Sequence, residues 1–151
     1  MSLPDKLRSL GITLPVVSGP FGAYIPAKRA GNLIFVAGQL PMKDGSLMAV
    51  GQVPSRCSID KAKAAARQCV INALAAAVTV APLEKITGVL RVGAFVSSDT
   101  SFTAQPQVAD GASLFLGELF DDAGRHARVA IGVNTLPRDA SVEVEIVFIA
   151  A

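Results

Sequence analysis

Tryptophan is absent from this chain, tyrosine and histidine occur once each, and cysteine twice. Two thiols, Cys57 and Cys69, with the single His126 make no metal site of recognisable spacing. Cys69 falls on the apolar side of a helical pattern and reads as a small core residue. Cys57 stands just before that helix and is expected to be partly exposed. No general base is visible beside either thiol, so a catalytic cysteine is not expected. The scarcity of base-stacking aromatics argues against a nucleic-acid surface. So do 14 scattered Lys and Arg for a net charge of +2. The longest apolar run, Ala73 to Ala81, falls well short of the roughly 20 residues that cross a bilayer. The opening "MSLPDKLRSLG" lacks the long apolar stretch and cleavage pattern of a signal peptide. A cytoplasmic protein with no membrane partner is expected.

What is present is apolar. Hydrophobic residues make up 51% of 151 positions and charged residues 17%, enough for one core and one domain spanning 1–151. The balance is also more apolar than a small free monomer needs, which points to a homo-oligomer covering part of the surface. Leu3, Leu7 and Leu10 suggest a short amphipathic opening. "GPFGAYIPAKRAGN" reads as an irregular lead into a strand. Leu33–Pro41 is apolar almost throughout, as in a strand buried on both faces. "KDGSL" turns into a short strand near Leu47–Val50. Ser58 caps a long helix with Ile59, Ala62, Ala66, Cys69, Ala73, Ala77 and Val80 on its apolar side. Ile86–Ser98 is a further strand, and a second helix is predicted over 107–120.

The last third carries the chemistry. Ala127–Thr135 alternates, with Val129, Ile131, Val133 and Thr135 on one side and Arg128, Ala130, Gly132 and Asn134 on the other. After the turn "LPRDAS", Val142–Ile149 places Val142, Val144, Ile146 and Phe148 on one side and Glu143 and Glu145 on the other. Joined as an antiparallel hairpin, the carboxylates lie across from Gly132 and Asn134, with Arg128 at the far end opposite Ile149. At about 3.3 Å per residue, Arg128 and Glu143 of one chain are too far apart for an ion pair. They cooperate only across a subunit interface or around a ligand. Arginine offers a planar fork for a carboxylate, and a glutamate can hold a water or take a proton. The same pattern also suits a solvated edge charge and the wet face of a hairpin. The element order β-β-β-α-β-α-β-β predicts an α+β fold with a six-stranded sheet and two helices on one face.

"AGNLIFVAGQLP" and the closing "ARVAIGVNTLPRDASVEVEIVFIA" resemble the RidA/YjgF family, the reactive intermediate deaminases, over about residues 14–150. The resemblance implies a chorismate-mutase-like fold assembled as a homotrimer, with a central barrel of three sheets and clefts between subunits. It also implies hydrolysis of 2-imino acids to 2-keto acids and ammonia without a cofactor. It makes Arg128 the carboxylate-holding residue and Gly38 a backbone contact to the ligand. Glu143 becomes the acidic residue positioning water, and Tyr24 the pocket aromatic, with Phe21 as a competing assignment. On this reading the small face of 127–135 lies on the barrel side. Ala37 stands where other members have a serine and Ala130 where they often have a cysteine. The family's cleft asparagine falls at Asp110 or Gly111. An acidic residue there repels an anionic substrate. Two other activities stay open: a noncatalytic trimer binding a small carboxylate, and the family's older ribonuclease or translation-inhibitor labels.

Overall fold

The structure, a computed structural model, describes residues 1–17 and 22–151. Phe21 lies outside the described residues. The chain opens with α1 (Leu3–Ser9), where the Ser2 hydroxyl accepts the Asp5 amide hydrogen and Leu3 and Leu7 turn into the core. Strands β1 (Ala27–Ala30) and β2 (Leu33–Gln39) follow, then the short β3 (Met42–Lys43) and β4 (Ser46–Leu47). Helix α2 (Ile59–Ala77) begins at Ser58, whose hydroxyl accepts the Lys61 amide hydrogen at 3.1 Å. β5 (Ile86–Ser97), α3 (Gln105–Phe120), β6 (Ala127–Val133) and β7 (Val142–Ala150) complete the order.

The α+β class holds, with three α-helices, α1 included, among the described residues. The main sheet, however, has five strands in the order β1-β2-β7-β5-β6, not six. β3 and β4 are too short to join it and pair only with each other. That ribbon is tied to α2 by the buried Asn72, whose amide donates to the Leu40 and Met42 carbonyls, each at 3.0 Å. Gln68 donates to the Asn72 side-chain oxygen at 3.0 Å, so the polar pair is satisfied inside the core.

The expected closing hairpin does not form. β6 pairs in parallel with β5, while β7 lies antiparallel on the other side of β5 and also pairs with β2. β5–α3–β6 is a crossover unit, in which a helix returns the chain to the same end of the sheet. The connection to β7 then passes over the end of β5. There the Ser98 amide donates to the Val133 carbonyl at 2.8 Å and the Ser97 amide to the Ser141 carbonyl at 2.9 Å. β7 is the more apolar of the two strands and takes the position with two neighbours. β6 keeps an open edge.

Register also reassigns the faces. Laterally paired residues point to the same side of a sheet. Arg128 pairs with Val92, Ala130 with Ala94 and Gly132 with Val96, all on the face that Ile146 and Val142 present to α2 and α3. The small side of β6 therefore faces the helix layer, not the opposite, barrel-side face expected from the sequence. The reason is visible at Gly132, where a Cβ would come within 2.6 Å of Gln105 Nε2 at the start of α3. The other face of the sheet is open and apolar: Val129 and Ile131 are 40% and 46% exposed and Phe35 on β2 50%. The expectation that β2 is buried on both sides fails for the same reason, since only Ile34 and Val36 point to the helices.

Below the helices lies one core, with Phe148, Ile34, Leu74, Leu116 and Ile146 fully enclosed. α2 and α3 approach closely where Gly111 meets the backbone of Lys63.

Candidate functional site

Arg128 sits on the edge strand, its side chain directed to α3. Its Nη1 donates to Asp110 Oδ1 at 2.8 Å and to Ser113 Oγ at 3.2 Å. Asp110 and Ser113 are three residues apart, so one helical face presents both. Gly117 continues that face a turn later. His126, just before β6, completes a chain of polar contacts. Its Nδ1 lies 2.6 Å from the Gly124 carbonyl and its Nε2 2.9 Å from Ser113 Oγ. Only a protonated nitrogen bonds a carbonyl, so in the neutral ring Nδ1–H donates and Nε2 accepts the Ser113 hydroxyl hydrogen. The hydroxyl oxygen is then left to accept from Arg128. His126 is half-buried and fixes this geometry.

A shallow cavity of about 320 Å³ opens here, lined by Ser113, Gly117, Gly124, Arg125, His126 and Arg128. Among the described residues, Arg128 Nε and Nη2 have no partner. One edge of the guanidinium is thus held by α3 and the other is available for a planar anion. The two possible positions for the family's cleft asparagine separate clearly. Asp110 touches Arg128, whereas Gly111 faces α2, where a Cβ would lie 2.8 Å from the Lys63 carbonyl carbon. Ser113 was missed in the sequence. The signal for it is the three-residue spacing from Asp110, legible only once α3 is known to cover Arg128.

Glu143 lies elsewhere. It pairs in register with Phe95, and Glu145 with Gly93, on the open face of the sheet. Gly38 falls at the irregularity of β2 between Val36 and Gln39. Any Cβ there would collide with Glu143 Oε1 and come within 3.0 Å of its Cδ. Glycine at 38 thus admits the carboxylate over the backbone, and the structure brings these two predicted residues together. Burial, and then the nearby charge of Glu145, push the Glu143 carboxyl above the usual carboxylate range. Glu145 itself is paired with Arg91 at 3.1 Å.

Tyr24 is 60% exposed and lies with Gln39, Leu40, Arg67 and Arg138 on the wall of a larger open groove of about 1100 Å³. The predicted residues thus divide into Arg128 with Asp110 on the helix side, Glu143 with Gly38 on the open face, and Tyr24 at the groove. Arg128 and Glu143 of one chain are on opposite faces of the sheet and cannot meet around one small ligand. Neither cysteine enters these groups. Both are buried, Cys57 included, contrary to its expected partial exposure. Burial, with some help from the Glu143 charge, holds the Cys69 thiol far above its ordinary range, so it is no nucleophile.

An α+β sheet of this order, covered on one face by two long helices, defines the class, and the comparisons specify it. Residues 5–150 match the YjgF/chorismate-mutase-like family, whose description also carries an endoribonuclease label. The chain belongs to this family. It is 38% identical over 144 residues to protein TCP17 of Trypanosoma cruzi, covering 93% of this chain and 89% of that one. The crystal structure of Atu1372 from Agrobacterium tumefaciens, of unknown function, is 36% identical with a TM-score of 0.87, covering 99% of this chain and 92% of that one. Escherichia coli TdcF, solved with bound serine, shares the fold at 22% identity and a TM-score of 0.61, over 91% of this chain and 93% of that one. Among the described residues no helix is long and apolar enough to cross a membrane.

Proposed function

We propose that the protein hydrolyses reactive 2-imino acids to 2-keto acids and ammonia in the cytoplasm. The clefts lie between copies of the chain assembled as a homotrimer. The observation that carries this reading is the Nε/Nη2 edge of Arg128, free of protein partners among the described residues beside the cavity of about 320 Å³, which suits a small carboxylate. The serine bound to TdcF, a small amino acid held by a protein of the same fold, supports a ligand of that size.

Arg128 fixes the substrate carboxylate and Glu143 orients the attacking water, with its raised pKa making it a stronger base than an ordinary carboxylate. Because these side chains leave opposite faces of one sheet, a complete site takes Arg128 from one copy and Glu143, resting over Gly38, from the next. Tyr24, on the groove wall with Gln39, supplies the pocket's aromatic side. The apolar open face of Phe35, Val129 and Ile131 supports the same assembly, since such a surface is covered in a stable oligomer.

The alanines at 37 and 130 favour a second reading, a trimer that binds a small carboxylate without turnover. The two separate by hydrolysis of 2-aminoacrylate and 2-iminobutanoate generated in situ. Acceleration over the uncatalysed rate that disappears in Arg128→Ala supports the deaminase. No acceleration by the native protein refutes it and leaves the binding reading.

A further inference from the structure

Arg128 already has an acidic neighbour, which is an odd provision for a residue meant to hold an anion. Asp110 Oδ1 stands 2.8 Å from Nη1, and the second oxygen of Asp110 has no partner among the described residues. The Asp110 side chain is 46% exposed and that of Arg128 23%, so the pair is reachable from solvent. Ser113, held by His126, keeps Nη1 engaged on the α3 side. The donors left for a ligand are therefore Nε and Nη2, and the acceptor of the ion pair left without a partner is Asp110 Oδ2.

We infer that Arg128 and Asp110 together select a zwitterion, a carboxylate with a positively charged nitrogen on the adjacent carbon, over a simple anion of the same size. The inference rests on the reading that Arg128 binds the ligand carboxylate. A 2-keto acid brings one negative charge to a guanidinium that Asp110 has already partly neutralised, and its keto oxygen meets a like-signed carboxylate. A 2-iminium acid or an amino acid places its cationic nitrogen where Asp110 can accept a hydrogen bond from it.

The consequence for hydrolysis is direct. Water adds to the carbon of C=NH₂⁺ more readily than to that of the neutral imine, because the positive charge draws electrons from that carbon. Asp110 stabilises the iminium form at binding. Water forms the new C–O bond and loses a proton to a base, which returns to nitrogen. The C–N bond then breaks with its electron pair on nitrogen, and the hydroxyl proton leaves as the carbonyl forms. The sum is iminium plus water giving keto acid plus ammonium, with no oxidant or reductant. The product keto acid has lost the charge that Asp110 recognised, so the same pair favours its release.

Calorimetric titration with L-alanine and with pyruvate tests this, on native protein and on Asp110→Asn, with imine hydrolysis measured on the same samples. A half-exposed charge contact changes affinity by about fivefold. Asp110→Asn is therefore expected to weaken alanine binding about fivefold and strengthen pyruvate binding about fivefold, an inversion of some 25-fold in their ratio. Asp110→Glu, which keeps the charge, is expected to retain the preference for alanine. An unchanged ratio in Asp110→Asn overturns the inference, even if the native protein hydrolyses imines and the proposed function stands. An inverted ratio in a protein without turnover supports zwitterion selection and refutes the deaminase. Binding of neither ligand to the native protein overturns the inference.

Discussion

Gly111 and Gly117 lie on the same helix, yet alanine should move stability in opposite directions at the two. A Cβ at Gly111 collides with the Lys63 carbonyl oxygen on α2 and comes within 2.8 Å of its carbonyl carbon and 3.0 Å of its Cγ. Two of these are backbone atoms of a buried helix, so relief requires α2 and α3 to separate. Overpacking costs about 1–3 kcal/mol; a clash with two backbone atoms falls in the upper part of that range, about 2–3 kcal/mol, and the gain from replacing a helical glycine by alanine returns about 1 kcal/mol. Gly111→Ala should thus destabilise by about 1–2 kcal/mol. A Cβ at Gly117 meets nothing within 4 Å, leaving only the gain of about 1 kcal/mol. For a domain this size each kcal/mol moves Tm by about 2–4 °C. Gly111→Ala is expected to melt about 2–8 °C lower and Gly117→Ala about 2–4 °C higher. Both are compared with the native chain by circular dichroism at one protein concentration, since association also shifts Tm. A Gly111→Ala protein as stable as the native one would refute the close helix crossing. A destabilised Gly117→Ala would refute the open space on the opposite face of α3.

Further outcomes follow from the same geometry. The Glu143 carboxyl has its pKa raised by folding, so its ionisation works against the folded state. The protonated form's contribution is complete below the unfolded pKa and is lost as pH rises through the folded one. Glu143→Gln should therefore raise Tm at neutral pH and lose that advantage near pH 4, while abolishing turnover; a uniform shift at both pH values would contradict this. Ser113→Ala removes the link between Arg128 and His126 and should raise KM more than it lowers kcat, which steady-state kinetics on 2-iminobutanoate resolves. Ile131→Asp places a charge on the open apolar face and should shift mass from trimer to monomer in sedimentation, while a trimer that survives would separate that face from the interface.

Some of this was legible before the structure and some was not, for reasons that particular residues show. The helix start at Ser58 was readable because a side-chain cap and a helical apolar repeat are local properties. The closing hairpin was misread because alternation reveals a strand's two sides without revealing its neighbours. β6 and β7 are adjacent in sequence, yet β5 lies between them. That pairing also decided which side of β6 faces the helices, and so moved Arg128 to α3 and left Val129 and Ile131 open. Arg128 and Glu143 could be singled out from the closing motif, and Asp110 from its place on the second helix. That Glu143 stands on the other face from Arg128 depends on register, which no short stretch encodes. Ser113 and His126 lie thirteen residues apart, and their contact depends on the three-dimensional return of the crossover.

The most direct test of a site shared between copies mixes two inactive proteins. Arg128→Ala and Glu143→Gln, each without turnover alone, are unfolded together in equal amounts, refolded and assayed on 2-iminobutanoate. If each site takes its arginine from one chain and its glutamate from the next, random assembly leaves about one site in four intact. The mixture should then recover roughly a quarter of native activity. Mixed oligomers that form but stay inactive would contradict the shared site.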